Sequence, residues 1–210
     1  HESASHGVSH TSSDSQSRDQ FREDVRTAKK IIEDASGAAV IGFRAATFSI
    51  GAGNLWAFEI LADEGYAYSS SVNPVQTDNY GMKEAPRFAF HPIDGHPFTE
   101  IPLSSLAIGG RNLPCAGGGY FRLWPYELTR FAVRRVNHRD GWPFIFYFHP
   151  WELDPDQPRP DTLTFKSRVR HYLNLERMEQ RLRKLLDDFA WDRIDRVFGI
   201  DEAQSSGSRT

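Results

Sequence analysis

Residues 17–44, SRDQFREDVRTAKKIIEDASGAAVIGFR, read as one amphipathic helix followed by one buried strand. Phe21, Val25, Ala28 and Ile32 recur at i, i+4, i+7 and i+11 and share one helix face, while Arg22, Glu23, Arg26 and Lys29 point to water. Ser15 or Ser17 stands close to the helix start and Gly37 stops it. Ala38–Phe43 is then a short apolar run, the pattern of a strand covered on both faces, with Arg44 where that strand emerges at its carboxyl end.

The same unit recurs downstream. Leu55–Glu64 has helical spacing and ends at Gly65, and Tyr66–Val72 resumes strand-like alternation. Phe98–Leu103 reads as a short strand. A helix over about Pro125–Asn137 leads through Gly141 into Pro143–Phe148, whose apolar and aromatic character predicts an interior strand ending at His149. Leu175, Met178, Leu182, Leu185 and Phe189 form the apolar stripe of a terminal amphipathic helix. Repeated helix–strand alternation predicts an α/β protein with a largely parallel sheet, open or closed into a barrel. Between these units, Asn73–Pro97 is a long Pro-, Gly- and His-rich connection, a length that is more often functional than idle. Asp201–Thr210 is polar and expected to fray.

With 39% hydrophobic and 13% aromatic residues, 210 residues can bury a sizeable core, one domain by preference. Lys and Arg number 25 against 28 Asp and Glu, so the net charge of -3 gives no footprint for nucleic acid or an anionic membrane. The single cysteine, Cys115, excludes an internal disulfide and a four-cysteine zinc site. Any metal chemistry falls to histidine and carboxylate. No stretch approaches the roughly 20 apolar residues of a membrane span. The sequence begins at His1 rather than Met, without signal-peptide character, and upstream residues are expected.

Several residues stand where chemistry would need them. His6 and His10, at i and i+4, reach one metal if their segment coils, although eight histidines make a chance pair common. Arg44, His149 and Trp151 lie at predicted strand ends, where ligands bind in parallel α/β folds; a structural ion pair for Arg44 and a core histidine for His149 stay open. Gly117-Gly118-Gly119 lacks both the Gly-Lys-Ser/Thr of a P-loop and the spacing of a dinucleotide loop, which excludes nucleotide binding there.

Taken together, these segments resemble the polysaccharide deacetylases with a NodB-homology domain, specifically the subgroup found with exosortase and exopolysaccharide loci. His1–His10, HESASHGVSH, is similar to the family's second motif, which implies that His6 and His10 are metal ligands. Gly42–Ile50, GFRAATFSI, is similar to the third motif, which implies that Arg44 orients the catalytic aspartate. Residues 117–122, GGGYFR, and 148–155, FHPWELDP, resemble subgroup segments, the second containing the catalytic histidine as His149. Two departures are Ala46, where the motif has Pro, and Ser69, where an Asp is expected.

The resemblance implies a deacetylase-type (β/α) barrel, distorted and seven-stranded, incomplete because its first strands precede His1. It implies a domain over 1–198, with a subgroup-specific helical region from about 160, and a flexible tail over 199–210. The first motif, an aspartate pair giving the catalytic base and a third ligand, would also lie upstream. The implied activity is hydrolysis of N-acetyl groups on an amino-sugar polysaccharide or oligosaccharide by a divalent metal, zinc above others. Tyr120 and Trp151 are candidates for stacking on sugar faces. Two further readings stay open: a catalytically impaired carbohydrate-binding or scaffolding relative, and a deacetylase of a small amide. The compartment is left between bacterial cytoplasm and periplasm.

Overall fold

The computed structural model describes residues 1–75, 81–160, 162 and 164–200, with the backbone alone for Phe165 and Lys166. The expected frayed tail over 201–210 and residues 76–80 of the long connection lie outside the described residues. The chain forms two compact units, one of residues 1–103 together with the segment returning from Asp192, the other Ser104–Trp191.

In the first unit, α1 spans Arg18–Ser36. Its start is fixed by a reciprocal pair: the Ser17 hydroxyl accepts from Gln20 N while Gln20 Oε1 accepts from Ser17 N. Gly37 ends it in the left-handed conformation, φ 68°, which a side chain would disfavour. Phe21, Val25 and Ala28 are buried, and Phe21 meets Phe43 and Trp56 edge-on at 5.9 and 5.7 Å. Strand β1, Gly42–Phe43, is followed by α2, Trp56–Asp63, then β2, Tyr68–Ser69, and β3, Thr99–Glu100. All three strands are parallel in the order β1-β2-β3, with Gly42 opposite Tyr68 and Ser69 opposite Glu100. Ser5 extends the edge: its N–H donates to Gly42 O and its carbonyl accepts from Arg44 N, both at 2.9 Å. Gly42 is required here, because a Cβ would lie 2.3 Å from Tyr68 Oη.

Each predicted strand of this sheet exists, yet only two residues long. The ladder stops because its next donors are taken by side chains: Ser71 N and Val72 N donate to Glu100 Oε1, and Ala45 N donates to Ser71 Oγ. The core beneath is Phe21, Val25, Val40, Phe43, Phe58 and Leu61 with Phe98, each contributing roughly 1.5–3 kcal/mol of burial.

The second unit opens on an antiparallel hairpin, β4 (Ser105–Ile108) and β5 (Arg111–Pro114), joined at Gly109-Gly110. It continues through α3, Gly118–Leu123, and α4, Tyr126–Arg134, which runs on as a π-helical turn to Asp140. After α5, Phe165–Tyr172, a 3₁₀ turn over Leu175–Arg177 buries Leu175 and leads into α6, Met178–Asp188, which buries Met178 and Leu185. The chain then returns to the first unit, where α7 spans Ile194–Phe198.

One expectation is corrected. Pro143–Phe148 is not an interior strand: it makes one parallel bridge, Tyr147 to Gly117, with Tyr147 N donating to Ala116 O at 3.0 Å. Its apolar character serves ring packing instead, Phe146 meeting Phe121 at 5.0 Å. Of the incomplete barrel expected, the structure shows a mixed α/β arrangement; among the described residues the sheets are one of three strands and one of two, neither closed.

Candidate functional site

Across the first unit, functional side chains gather where the parallel strands end. The segment after Ser5 turns at Gly7, φ 79°, and Asp24 of α1 fixes it from below: its Oδ1 accepts from Ser9 N at 3.0 Å and from Ser9 Oγ at 2.8 Å. A Cβ on Gly7 would sit 2.5 Å from Asp24 Oδ2, so only glycine lets the turn close on that carboxylate. His10 is held at φ 52°, a conformation that non-glycine residues adopt mainly at constrained sites. The result is that the His6 and His10 rings lie 5.1 Å apart, centroid to centroid, at 74°. Two imidazoles on one tetrahedral metal, each bonded at about 2.0–2.1 Å, have centroids about 5 Å apart. The centroid separation of the pair matches that figure. Among the described residues no group of three or more His, Cys, Asp and Glu side chains converges on one point.

Arg44 joins this pair. Its carbonyl meets His6 Nδ1 at 2.6 Å, which leaves Nε2 as the atom that would face a metal. Its guanidinium donates from Nε to Ser70 O and from Nη2 to Ser70 Oγ, both at 2.9 Å, and lies 5.6 Å from the Phe48 ring. The following loop places Thr47 and Phe48 at φ 55° and 53°, and Ser49, Ser13 and Asn54 lock it through buried hydrogen bonds of 2.8–3.2 Å.

Sequence reasoning missed Glu100. It is fully buried, its Oε1 accepts from Ser71 N and Val72 N at 2.9 and 2.8 Å, and its Oε2 makes no hydrogen bond among the described residues. Burial pushes its carboxyl up to about 7, against the opposing pull of the Val72, Ser69 and Ser71 contacts and the Arg44 charge.

In the second unit, His149 caps a single 3₁₀ turn over Pro150–Leu153. Glu152 Oε1 accepts from His149 N at 3.0 Å and lies 3.3 Å from Nδ1, while its Oε2 pairs with Arg122 Nε at 2.8 Å. Glu152 and Arg122 are both 2% exposed. Burial would raise the Glu152 carboxyl, but the His149 and Arg122 contacts outweigh it and hold the group below the usual carboxylate range. Arg122 also donates to the carbonyls of Arg170, His171 and Leu173, tying the end of α5 to the same carboxylate. Trp151 stacks on His149 at 5.4 Å and on His171 at 4.0 Å, so its ring is already packed among protein groups. Tyr120, on α3, tilts against Trp124 at 5.6 Å. Neither Glu152 nor Arg122 was singled out from sequence. The signal available was an acid three residues after a histidine, inside HPWELDP.

The structure brings His6, His10 and Arg44 together, through the His6 Nδ1 contact with Arg44 O and the edge-on His6 and His10 rings, and brings His149 and Trp151 together by stacking. In comparison with solved structures, the chain is similar to one described as "putative polysaccharide deacetylase from Mycobacterium smegmatis", with a TM-score of 0.56 and 17% identity. The match covers 99% of this chain and 65% of that chain, and at this identity the likeness is one of fold. No curated protein matches the sequence. Residues 70–199 match the family described as "Domain of unknown function (DUF3473)"; with more than half of its length inside that match, this chain belongs to the DUF3473 family.

Proposed function

We propose that this chain forms part of a metal-dependent deacetylase that hydrolyses N-acetyl groups on an amino-sugar polysaccharide, in the exopolysaccharide setting of the subgroup it resembles. The observation that carries the reading is the His6–His10 pair, at the separation of two ligands of one zinc and tied to Arg44 through His6 Nδ1. His6 and His10 would hold the ion. A bound divalent ion supplies polarisation of the acetyl carbonyl and a lowered pKa for water. Arg44 would orient the carboxylate that accepts the water proton. His149 would donate a proton to the departing amine nitrogen, with Glu152 fixing its ring. In this reading the base and the third ligand are the aspartate pair expected before His1, and Tyr120 and Trp151 contact the sugar.

The test measures zinc affinity and acetate release from N-acetylglucosamine oligomers. His6→Ala and His10→Ala should each weaken zinc binding by tenfold or more. The 210-residue chain should release acetate far more slowly than a form extended upstream, by the roughly 10²–10⁴-fold that a proton acceptor contributes. Equal rates, with His149→Ala abolishing both, would place the base within these residues and overturn the assignment. Ala46 and Ser69 favour a second reading, a carbohydrate-binding relative that has lost activity; an extended form that binds the oligomers and releases no acetate would establish it.

A further inference from the structure

Glu100 is a costly residue for its position. A buried carboxyl with an oxygen left without a hydrogen bond is worse than an apolar side chain unless its bonds do something the fold needs. Those bonds are specific. Oε1 gathers the N–H groups of Ser71 and Val72, the second and third residues after β2, and so ends the ladder of backbone donors after Ser70 N, which still bonds to Phe43 O. The turn places Ser71 Oγ to accept from Ala45 N at 2.8 Å, and Ser69 Oγ meets Ser71 Oγ at 2.6 Å. Between them, Ser70 offers its carbonyl and hydroxyl to Arg44. Arg44 in turn meets His6.

We propose that Glu100 is a positioning residue of this site, holding the Ser69–Val72 turn so that Ser70 fixes the Arg44 guanidinium. The inference deepens the deacetylase reading, in which Arg44 orients the proton acceptor, and it stands on geometry that no catalytic measurement is needed to examine. Its second consequence is electrostatic. Glu100 changes charge near neutrality, with Arg44 as the charged group it feels, so Arg44 sits opposite a neutral acid on one side of that range and a carboxylate on the other. Two further titratable groups meet Arg44, His6 through the carbonyl and Tyr68 through its charge, and both are unchanged in Glu100→Gln.

The experiment follows the Arg44 Nε–H signal by NMR, identified by its absence in Arg44→Lys, from pH 5 to pH 9. Wild type and Glu100→Gln share whatever His6 contributes. The wild-type curve should carry a component with a midpoint near 7 that Glu100→Gln lacks. The amide keeps an acceptor, so Glu100→Gln should retain slow exchange at Nε–H, whereas Glu100→Ala should speed it about tenfold. Identical titration curves for wild type and Glu100→Gln, or unchanged exchange in Glu100→Ala, would overturn the proposal. If Glu100→Ala does not fold, the Glu100→Gln curve decides alone. Failure of acetate release leaves this result untouched, and active enzyme with an unperturbed Arg44 signal removes the inference while keeping the function.

Discussion

Two buried glutamates show how much a single side chain's surroundings decide. Glu152 meets a guanidinium and an imidazole and stays ionised; Glu100 meets two backbone N–H groups and the Ser69 side chain, and burial prevails. For Glu100 the folded pKa of about 7 exceeds the 4.5 of the free side chain, so its contribution to stability is whole below pH 4.5. Stability then falls as pH rises to 7, because the unfolded chain gives up the proton that the folded chain keeps. The loss is on the order of 3 kcal/mol. Glu100→Gln has no such titration, and its urea midpoint relative to wild type should climb between pH 5 and pH 8; a constant difference would mean that Glu100 does not titrate in this window. That His6, His10 and Arg44 come together was legible in the order of the motifs that carry the resemblance, the i, i+4 spacing of the histidines being a weak signal alone. Glu100 was not, since between Thr99 and Ile101 in the short run Phe98–Leu103 an acid looks like the solvent-facing residue of a half-buried strand.

At the scale of elements, what could be read was what is local. The α1 helix, its Ser17 cap and its Gly37 stop follow from residues within one or two turns of each other, and the buried stripe of α6 likewise. Strand lengths depend instead on where distant side chains capture backbone donors, as Glu100 does, and Pro143–Phe148 depends on partners that the sequence does not name. The β4–β5 hairpin was overlooked although its signal is local: Gly109 and Gly110 take φ 57° and 75°, the paired left-handed turn that fits strand twist. Gly109→Asn should be nearly neutral, and Gly110→Val should cost about 1–2 kcal/mol in chemical denaturation because a β-branched residue resists positive φ. A neutral Gly110→Val would show that the turn relaxes to another type.

For the whole molecule, the division at Leu103 and Asp192 sets what unfolds with what. Phe98 is 1% exposed and packs on Phe58 with ring centroids 6.1 Å apart. Phe98→Ala should cost about 3–5 kcal/mol, and hydrogen exchange should quicken at the amides of Val25, Phe43 and Leu61 while those of Ala132, Val133 and Leu185 keep wild-type rates. Equal acceleration in both sets would mean one cooperative block. The same division has a consequence for synthesis. Residues 1–103 leave the ribosome without the stretch that supplies Asp195 N to Glu2 Oε2 and buries Ile200, and at cellular elongation speeds that stretch arrives on the order of ten seconds later. During that interval the whole of Ser104–Trp191 is being translated, so the later-made unit can be complete while the earlier-made one still awaits its last piece.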